Sequence, residues 1–293
     1  MRVTDNMRFQ EATANTSQAA ERVYMAEKRA ATLNRVAKPS DDPAAYVSIA
    51  AKDATLSRLE GRKETLSRAQ GDLELAESTL ATVGDLVAKA REIAVDMASG
   101  DKTPSDRAVA AKQVTQLRQS LVALANAKGA RGYLFSGTKT DTPAIDEVTG
   151  TFLGNDGLTN VEVADGVLAA ANANGATAFT AAGGTDVVAE LDNFAKALAA
   201  NDVTGIQTSI DTMSASHAQV VSARADVGLS ADRLRSAADV TTSALGIVMS
   251  SRASIAQIDP TVAYSALANA TAIFDRDLAI TKQILSMAAS NAA

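Results

Sequence analysis

Residues 206–262 read IQTSIDTMSASHAQVVSARADVGLSADRLRSAADVTTSALGIVMSSRASIAQIDPTV, and their spacing decides the fold. Ile206, Met213, Val220, Val227, Leu234, Thr241, Val248, Ile255 and Val262 stand seven apart. Ile210, Ala231, Ala238 and Leu245 fill the companion series, which His217, Arg224 and Arg252 also enter. Apolar positions repeating every 3.5 residues on average predict a long helix packed along a seam.

An earlier segment answers it. Leu59, Leu66, Leu73, Leu80 and Val87 recur at seven, with Ala69, Ala76, Val83, Ala90 and Met97 as the second series. A helix from Ala44 to Ala98 would run about 80 Å at 1.5 Å per residue, although Gly61, Gly71 and Gly84 argue against an unbroken one. Thr103-Pro104-Ser105-Asp106 then restarts a helix as a capping box, with Ala110, Val114, Leu117, Leu121 and Leu124 on one face packing back on its predecessor.

Outside these rods the chain changes character. Lys38-Pro39-Ser40-Asp41-Asp42-Pro43 breaks the N-terminal helix and starts another, since Pro39 cannot continue a helix while Asp42 and Pro43 suit the N-cap and first helical positions. Asp259-Pro260 repeats the device before a last helix whose stripe is Tyr264, Leu267, Thr271, Phe274, Leu278 and Leu285. Residues 1 to 37 are helical in propensity but show a poor apolar stripe, with Val3, Met7 and Phe9 its clearest members. Two such marginal helices gain stability by pairing with each other and with neighbouring subunits. Between the rods, Tyr133-Leu134-Phe135, Gly150-Thr151-Phe152-Leu153, Val161-Glu162-Val163 and Ala178-Phe179-Thr180 read as short strands, and Asn155-Asp156-Gly157 as a hairpin turn.

The predicted architecture is therefore mainly α: a long antiparallel, coiled-coil-like rod with terminal helices and a small β-rich central insertion. The divisions are 1–38 (N-terminal assembly helix), 39–130 and 185–258 (the two halves of the rod), 131–184 (the insertion) and 259–293 (C-terminal assembly helix). Val3, Met7, Phe9, Tyr264, Leu267, Phe274, Leu278 and Leu285 are the expected interface positions.

Composition removes most other functions. Hydrophobic residues make up 46% of the 293, yet aromatics only 3% with no Trp, so the apolar content is small and aliphatic and suits helical seams. With no Cys and one His there is no thiolate site, disulfide or imidazole cluster, and no metal, cofactor or catalytic residue is expected. A net charge of -6 argues against nucleic acid as a partner, and no apolar run is long enough for membrane insertion. The N-terminus lacks the apolar core of a cleavable signal peptide, so the chain is expected to be cytosolic or exported by another route. From Asp141 to Asp211 there are eleven acids against one base, Lys196, leaving the rest of the chain net positive.

Three local patterns invite a site reading. Gly132-Tyr133-Leu134-Phe135-Ser136-Gly137-Thr138-Lys139 has the two-glycine spacing of a phosphate loop, but its last residues run Thr then Lys, and Tyr, Leu and Phe occupy the positions whose amides should wrap phosphate. Asp41 and Asp42 lack the spacing of a calcium loop. His217 has no partner for a ligand or base role and reads as a seam-edge residue.

Pro39-Ser40-Asp41-Asp42-Pro43, Ala125-Asn126, Gly132 to Asp141, Gly150 to Gly157 and Arg224-Ala225-Asp226-Val227-Gly228, in that order, resemble the hook-associated proteins type 3 of the bacterial flagellum, which join hook to filament. Within the resemblance, Pro39, Ser40, Asp41, Asp42, Pro43, Asn126, Gly132, Tyr133, Phe135, Ser136 and Gly137 are the family-motif positions. Flagellin shares the plan, but Ser40-Asp41-Asp42-Pro43 and Phe135-Ser136-Gly137 depart from its usual Lys-Asp-Asp-Ala-Ala and Phe-Asn-Gly. The tail Met287-Ala-Ala-Ser-Asn-Ala-Ala lacks the apolar ending of either family. The resemblance implies a non-enzymatic flagellar subunit outside the cell, forming a ring with copies of itself between an adjacent hook-associated junction protein and flagellin. It also implies type III export without a cleaved signal and an export chaperone in the cytosol. The alternative is a minor or short flagellin.

Overall fold

A computed structural model describes residues 2–290, with the backbone alone for 2–6 and 288–290. Seven helices are described: α1 (Arg2–Thr32), α2 (Pro43–Met97), α3 (Pro104–Ala125), α4 (Gly175–Phe179), α5 (Val187–Ala199), α6 (Val203–Ala256) and α7 (Pro260–Ser290). Among the described residues, strands are confined to two hairpins, β1 (Lys128–Gly129) with β2 (Gly132–Tyr133), and β3 (Asn160–Ala164) with β4 (Val167–Ala170), both antiparallel. The predicted fold class, mainly helical with a small β-containing insertion, is the one observed. Chain contacts divide into two compact units, one of residues 1–58 and 244–293, the other of 59–243.

In the larger unit the core follows the predicted seams. Leu66, Leu73, Leu80 and Val87 of α2 are essentially inaccessible, as are Met213, Val220 and Leu234 of α6, and they join one cluster with Val114, Leu121, Leu191 and Phe194. The glycines of α2 do not interrupt the helix, and a methyl at Gly84 would meet Val220 of α6 at an ordinary van der Waals distance. Arg224 pairs with Glu77 at 3.3 Å and Arg235 with Glu74 at 3.2 Å across the α2–α6 seam. Arg224 of the companion series therefore lies at the seam's charged edge, whereas Gln219, outside both series, is buried.

The α2–α3 turn is built on the predicted capping box, with Asp106 N donating to Thr103 Oγ1 and Thr103 N to Asp106 Oδ2. Buried Arg107 closes it, its Nε donating to the Met97 carbonyl, Nη2 to that of Ser99, and Nη1 to Asn201 Oδ1 at 2.6 Å.

The insertion is less regular than the sequence suggests. Ala178-Phe179-Thr180 is not a strand: Asn174 accepts the amides of Ala176 and Thr177 and starts α4, with Thr180 as its C-cap. The Gly150–Leu153 stretch contributes a single bridge, Ile145 to Phe152. Asn155-Asp156-Gly157 is not a hairpin turn either; the β3–β4 turn is made at Asp165 and Gly166, whose φ of 74° lies in the region glycine favours. Three carbonyls, of Ala178, Thr180 and Thr185, accept from Gln219 Nε2 and tie the insertion's exit to α6. Arg62 of α2 pairs with Glu162 and Asp165 and Arg118 of α3 with Asp192, so part of the acidic excess meets cations of the rod.

In the smaller unit α1 pairs with α7. Ala12 and Thr16 of α1 meet Asp277 and Thr281 of α7, while Asn34 bridges to Gln257, so the helices run antiparallel.

Candidate functional site

The smaller unit holds both helix breaks, and they are sewn together. After α1, Leu33 turns with φ 53°, its carbonyl accepts from Ile258 N, and Arg35 N donates to the Ala256 carbonyl at 2.7 Å. Arg35 adds Nε and Nη2 to the Ile255 carbonyl and Nη1 to Asp42 Oδ2 at 3.0 Å. Asp42 Oδ1 meanwhile accepts from Ala45 N and caps α2, as the Asp-Pro pair predicts. Asp41 Oδ2 accepts the amides of Ala37 and Lys38, closing the loop that carries exposed Pro39 and Ser40.

Hydrogen bonds within the loop favour the ionised form of these carboxylates. The Ala37 amide is the main influence holding Asp41 below the ordinary carboxylate value, with Lys38 and Arg29 adding to it. For Asp42 the Ala45 amide leads and Arg35 follows. Asp259 is lowered chiefly by the Thr261 amide at the start of α7. The acidic pair Asp41–Asp42 is thus spent on backbone amides and a guanidinium, and the residues that the notion of a cation site would need are already engaged.

The α1–α7 seam uses smaller side chains than the sequence advertises. On α1, Ala12, Ala19 and Ala30 are buried and Thr16, Val23 and Ala26 half-buried, a heptad of alternating fours and threes. On α7 the matching positions are Ala263, Leu267, Ala270, Phe274, Asp277, Thr281 and Ile284, with Ala263 fully buried. The hydroxyls of Thr16 and Thr281 lie 2.9 Å apart across it. Leu267 and Phe274 therefore enter this seam, and Leu278 sits half-buried beside it. Tyr264, Leu285 and Met7 are exposed at 58%, 48% and 64%, and Phe9 at 36%. The side chain of Val3 lies outside the described residues.

The motif residues of the larger unit form a second, separate construction. Asn126 ends α3 and makes a reciprocal pair with the backbone of Ile145, Nδ2 donating to the carbonyl at 2.8 Å and Oδ1 accepting the amide at 2.9 Å. Phe135 is wholly buried, edge-on to Phe179 at 5.2 Å between ring centres. Ser136, also wholly buried, donates to the Thr142 carbonyl at 2.6 Å. Gly132 and Gly137 adopt φ of 108° and 69°, and a Cβ on either would strike the backbone of Thr140 or of Asn155.

Four amides of the stretch that has phosphate-loop spacing are taken inside this knot. Tyr133 N donates to the Thr140 carbonyl, Leu134 N to Ala127, Lys139 N to Ser136 and Thr138 N to Asn155 Oδ1. A 250 Å³ cleft beside it is lined by Asp72, Arg131, Tyr133, Thr138 and Asn172. Asp72 there holds Arg131 and the Ala130 amide, and Asn172 holds Thr159 N and the Gly157 carbonyl. Among the described residues no three metal-ligating side chains converge, and no helix is long and apolar enough to cross a membrane. His217 is half-buried on α6.

Sequence reasoning missed Arg35, Gln219 and Arg107, and read as a hairpin turn residue Asn155, which instead holds Thr138. Arg35 and Gln219 bind backbone remote in the chain, Arg107 binds the turn before its own helix and the side chain of Asn201, and Asn155 binds the backbone of Thr138; only Arg35, beside the Pro-Ser-Asp-Asp-Pro break, carried a local signal. Within the smaller unit the arrangement supplies a hydrogen-bonded pair of helix breaks and helices with apolar side chains left on their outer faces.

Residues 3–140 match the family described as the bacterial flagellin N-terminal helical region. The chain is similar to flagellar hook-associated protein 3 of Escherichia coli, 35% identical over 128 residues that cover 42% of this chain and 39% of that protein. It is also similar to flagellar hook-associated protein 3 of Salmonella typhimurium, 30% identical over 162 residues covering 53% and 50%. The matched region thus spans half or less of the length of these curated relatives. Among solved structures, a Vibrio parahaemolyticus chain assigned as a flagellar hook-associated protein superposes with a TM-score of 0.68 at 23% identity, over 74% of this chain and 100% of that one. FlgL of Xanthomonas campestris gives 0.62 at 19%, over 69% and 99%. These two likenesses speak for the fold. The named relatives are those to which the ordered motifs pointed.

Proposed function

We propose that this chain is a structural subunit of the bacterial flagellum, forming the junction that connects the hook side to the flagellin filament and carrying out no catalysis. The observation that carries the reading is the similarity to hook-associated protein 3 of two bacteria. The geometry supports it: polar groups in the knot and the break are consumed by internal hydrogen bonds, while the terminal pair keeps Met7, Tyr264, Ile273, Ile280 and Leu285 exposed. A helix pair with that much uncovered aliphatic surface gains by packing among further helices.

On this reading residues 1–38 and 259–293 are the assembly helices, with Val3, Met7, Phe9, Tyr264, Leu267, Phe274, Leu278 and Leu285 their contact positions. The rods form the next layer, and the acidic insertion of 131–184 faces outward. The subunit makes a ring with its own copies between an adjacent hook-associated protein and flagellin. It is exported to the flagellum without a cleaved signal peptide, after a chaperone has held its terminal helix in the cytosol. No nucleic acid, metal or cofactor takes part.

Deleting the gene tests this. Cells should carry hooks without filaments and shed flagellin into the medium, and the intact gene should restore filaments. Filaments on the hooks of the deletion strain would overturn the proposal and favour the minor-flagellin reading.

A further inference from the structure

At three steps of the sequence an Asp or Asn precedes a glycine: Asp156–Gly157, Asp165–Gly166 and Asn174–Gly175, all in the insertion. There the glycine nitrogen can close on the side-chain carboxyl or carboxamide carbon to give a five-membered imide, since the glycine has no Cβ to obstruct the approach. The fold treats the three differently. Asn174 Oδ1 is engaged by the amides of Ala176 and Thr177 at 3.0 and 3.3 Å, and Gly175 is packed so closely that a methyl on it would strike the Phe135 carbonyl. Gly157 N donates to Asn155 Oδ1 at 3.2 Å, a neutral amide oxygen that cannot take up a proton, and a methyl there would strike Thr138.

The third step is open and furnished with the groups the reaction needs. Asp165 and Gly166 are the two residues between the paired Ala164 and Val167, both are exposed, and the space around Gly166 is empty. Gly166 N donates to Glu162 Oε1 at 3.1 Å. Arg62 Nη2 of α2 donates to the same Glu162 oxygen at 3.2 Å and also to Asp165 Oδ1. One guanidinium nitrogen therefore holds a base and an electrophile side by side, and the nucleophile's proton already points at the base. Attack comes through a face of the amide plane while the N–H lies within it, so the proton can stay on Glu162 as the Asp165 carbon approaches.

We propose that Asp165–Gly166 is a site of self-modification, where Glu162 and Arg62 promote closure of the turn to an imide. Gly166 N forms a bond to Asp165 Cγ and gives its proton to Glu162, while Arg62 offsets the negative charge gathering on Oδ1. One Asp165 oxygen then leaves as water, carrying the proton returned by Glu162 and a second from solvent. Water later reopens the imide at either carbonyl, restoring Asp165 or leaving an isoaspartyl link that lengthens the turn by one carbon. Water and a solvent proton are the only co-reactants, so the modification accumulates with the age of the protein. The imide lacks the Asp165 charge, so Arg62 keeps Glu162 alone and one of its two ion pairs to the β3–β4 hairpin is lost.

To test this, the full chain is aged for weeks at neutral pH and digested, and its peptides are weighed and assayed with an isoaspartyl methyltransferase. The expected result is loss of one water mass at 165–166, followed by isoaspartate there, several-fold above 156–157 and 174–175. Ageing in concentrated urea should abolish that preference, because the folded arrangement creates it. Glu162→Gln keeps an acceptor for the Gly166 amide but cannot take its proton, so it should lower the product several-fold while circular dichroism stays unchanged. Asp165→Asn gives a second reading: its imide forms with loss of ammonia, and adding Glu162→Gln should slow that deamidation several-fold. A yield at 165–166 no higher than at the other two steps of the folded chain would overturn the proposal. The same preference in urea, or product formation indifferent to Glu162→Gln in both backgrounds, would overturn it as well.

Discussion

Replacing Asn126 with alanine removes the two side-chain bonds that hold Ile145 in place. Ile145 is 1% exposed, so neither its amide nor its carbonyl gains water when Asn126 is shortened. Each lost bond is worth about 1 kcal/mol net, and stranding a buried amide or carbonyl raises the cost toward about 1–3 kcal/mol per group. The sum for Asn126→Ala is about 2–4 kcal/mol. Asn126→Asp makes a sharper case. The carboxylate still accepts the Ile145 amide but turns a second oxygen on the Ile145 carbonyl, so it should be no better than alanine despite its near-identical shape. The assay is urea unfolding followed by far-UV circular dichroism. The midpoint should fall for both variants with the slope unchanged, and the thermal midpoint should drop by about 2–4 °C per kcal/mol for a unit of this size. An Asn126→Asp variant as stable as the parent, or an Asn126→Ala loss under about 0.5 kcal/mol, would refute the claim that this reciprocal pair holds the start of the insertion.

Gly175→Ala should prevent native folding of the larger unit, because the new methyl would collide with the Phe135 carbonyl, which cannot move without unseating the buried Phe135 ring; soluble yield and near-UV signal check it. Phe135→Ala should cost about 3–5 kcal/mol through the cavity it opens beside Phe179, measured by the same urea assay. Asp41, Asp42 and Asp259 all have lowered carboxyl values. Their contribution to stability is complete above the unfolded carboxylate value of about 3.9 and is lost as pH falls through the lower folded values. Amide exchange at Ala37, Lys38 and Ala45 should therefore stay protected at pH 5 and open only in stronger acid, and opening well above that value would contradict the clamp. Phe274→Asp should leave the circular dichroism of the larger unit intact while abolishing assembly, since a charge in the α1–α7 seam is costly and that seam lies wholly in the smaller unit.

The rods were legible because their seams are made of large aliphatic residues at constant spacing, so Leu66, Leu73, Leu80 and Met213 could be placed in the core without coordinates. The breaks were legible because Asp-Pro has one efficient use at a helix start. The α1 seam was not: alanines such as Ala12, Ala19, Ala26 and Ala30 are as common on exposed helix faces as in close-packed seams, whereas the larger apolar residues Met7 and Phe9 are left outside the terminal pair. On α7 one stripe in the sequence proved to be two lines, Leu267 and Phe274 toward α1 and Tyr264 and Leu285 on a flank. In the insertion, Phe179 belongs to a helix because Asn174 captures two amides, a local competition that strand propensity does not register. Gln219 and Asn155 act across long stretches of chain, and a single polar residue carries no sign of which distant backbone it will bind.

A junction subunit belongs at one point on the flagellum and not along it. Electron microscopy of intact flagella labelled with gold-conjugated antibody to residues 131–184 tests this most directly. Gold should be confined to a single band where hook meets filament. Gold distributed along the filament would contradict it and make the chain a filament subunit.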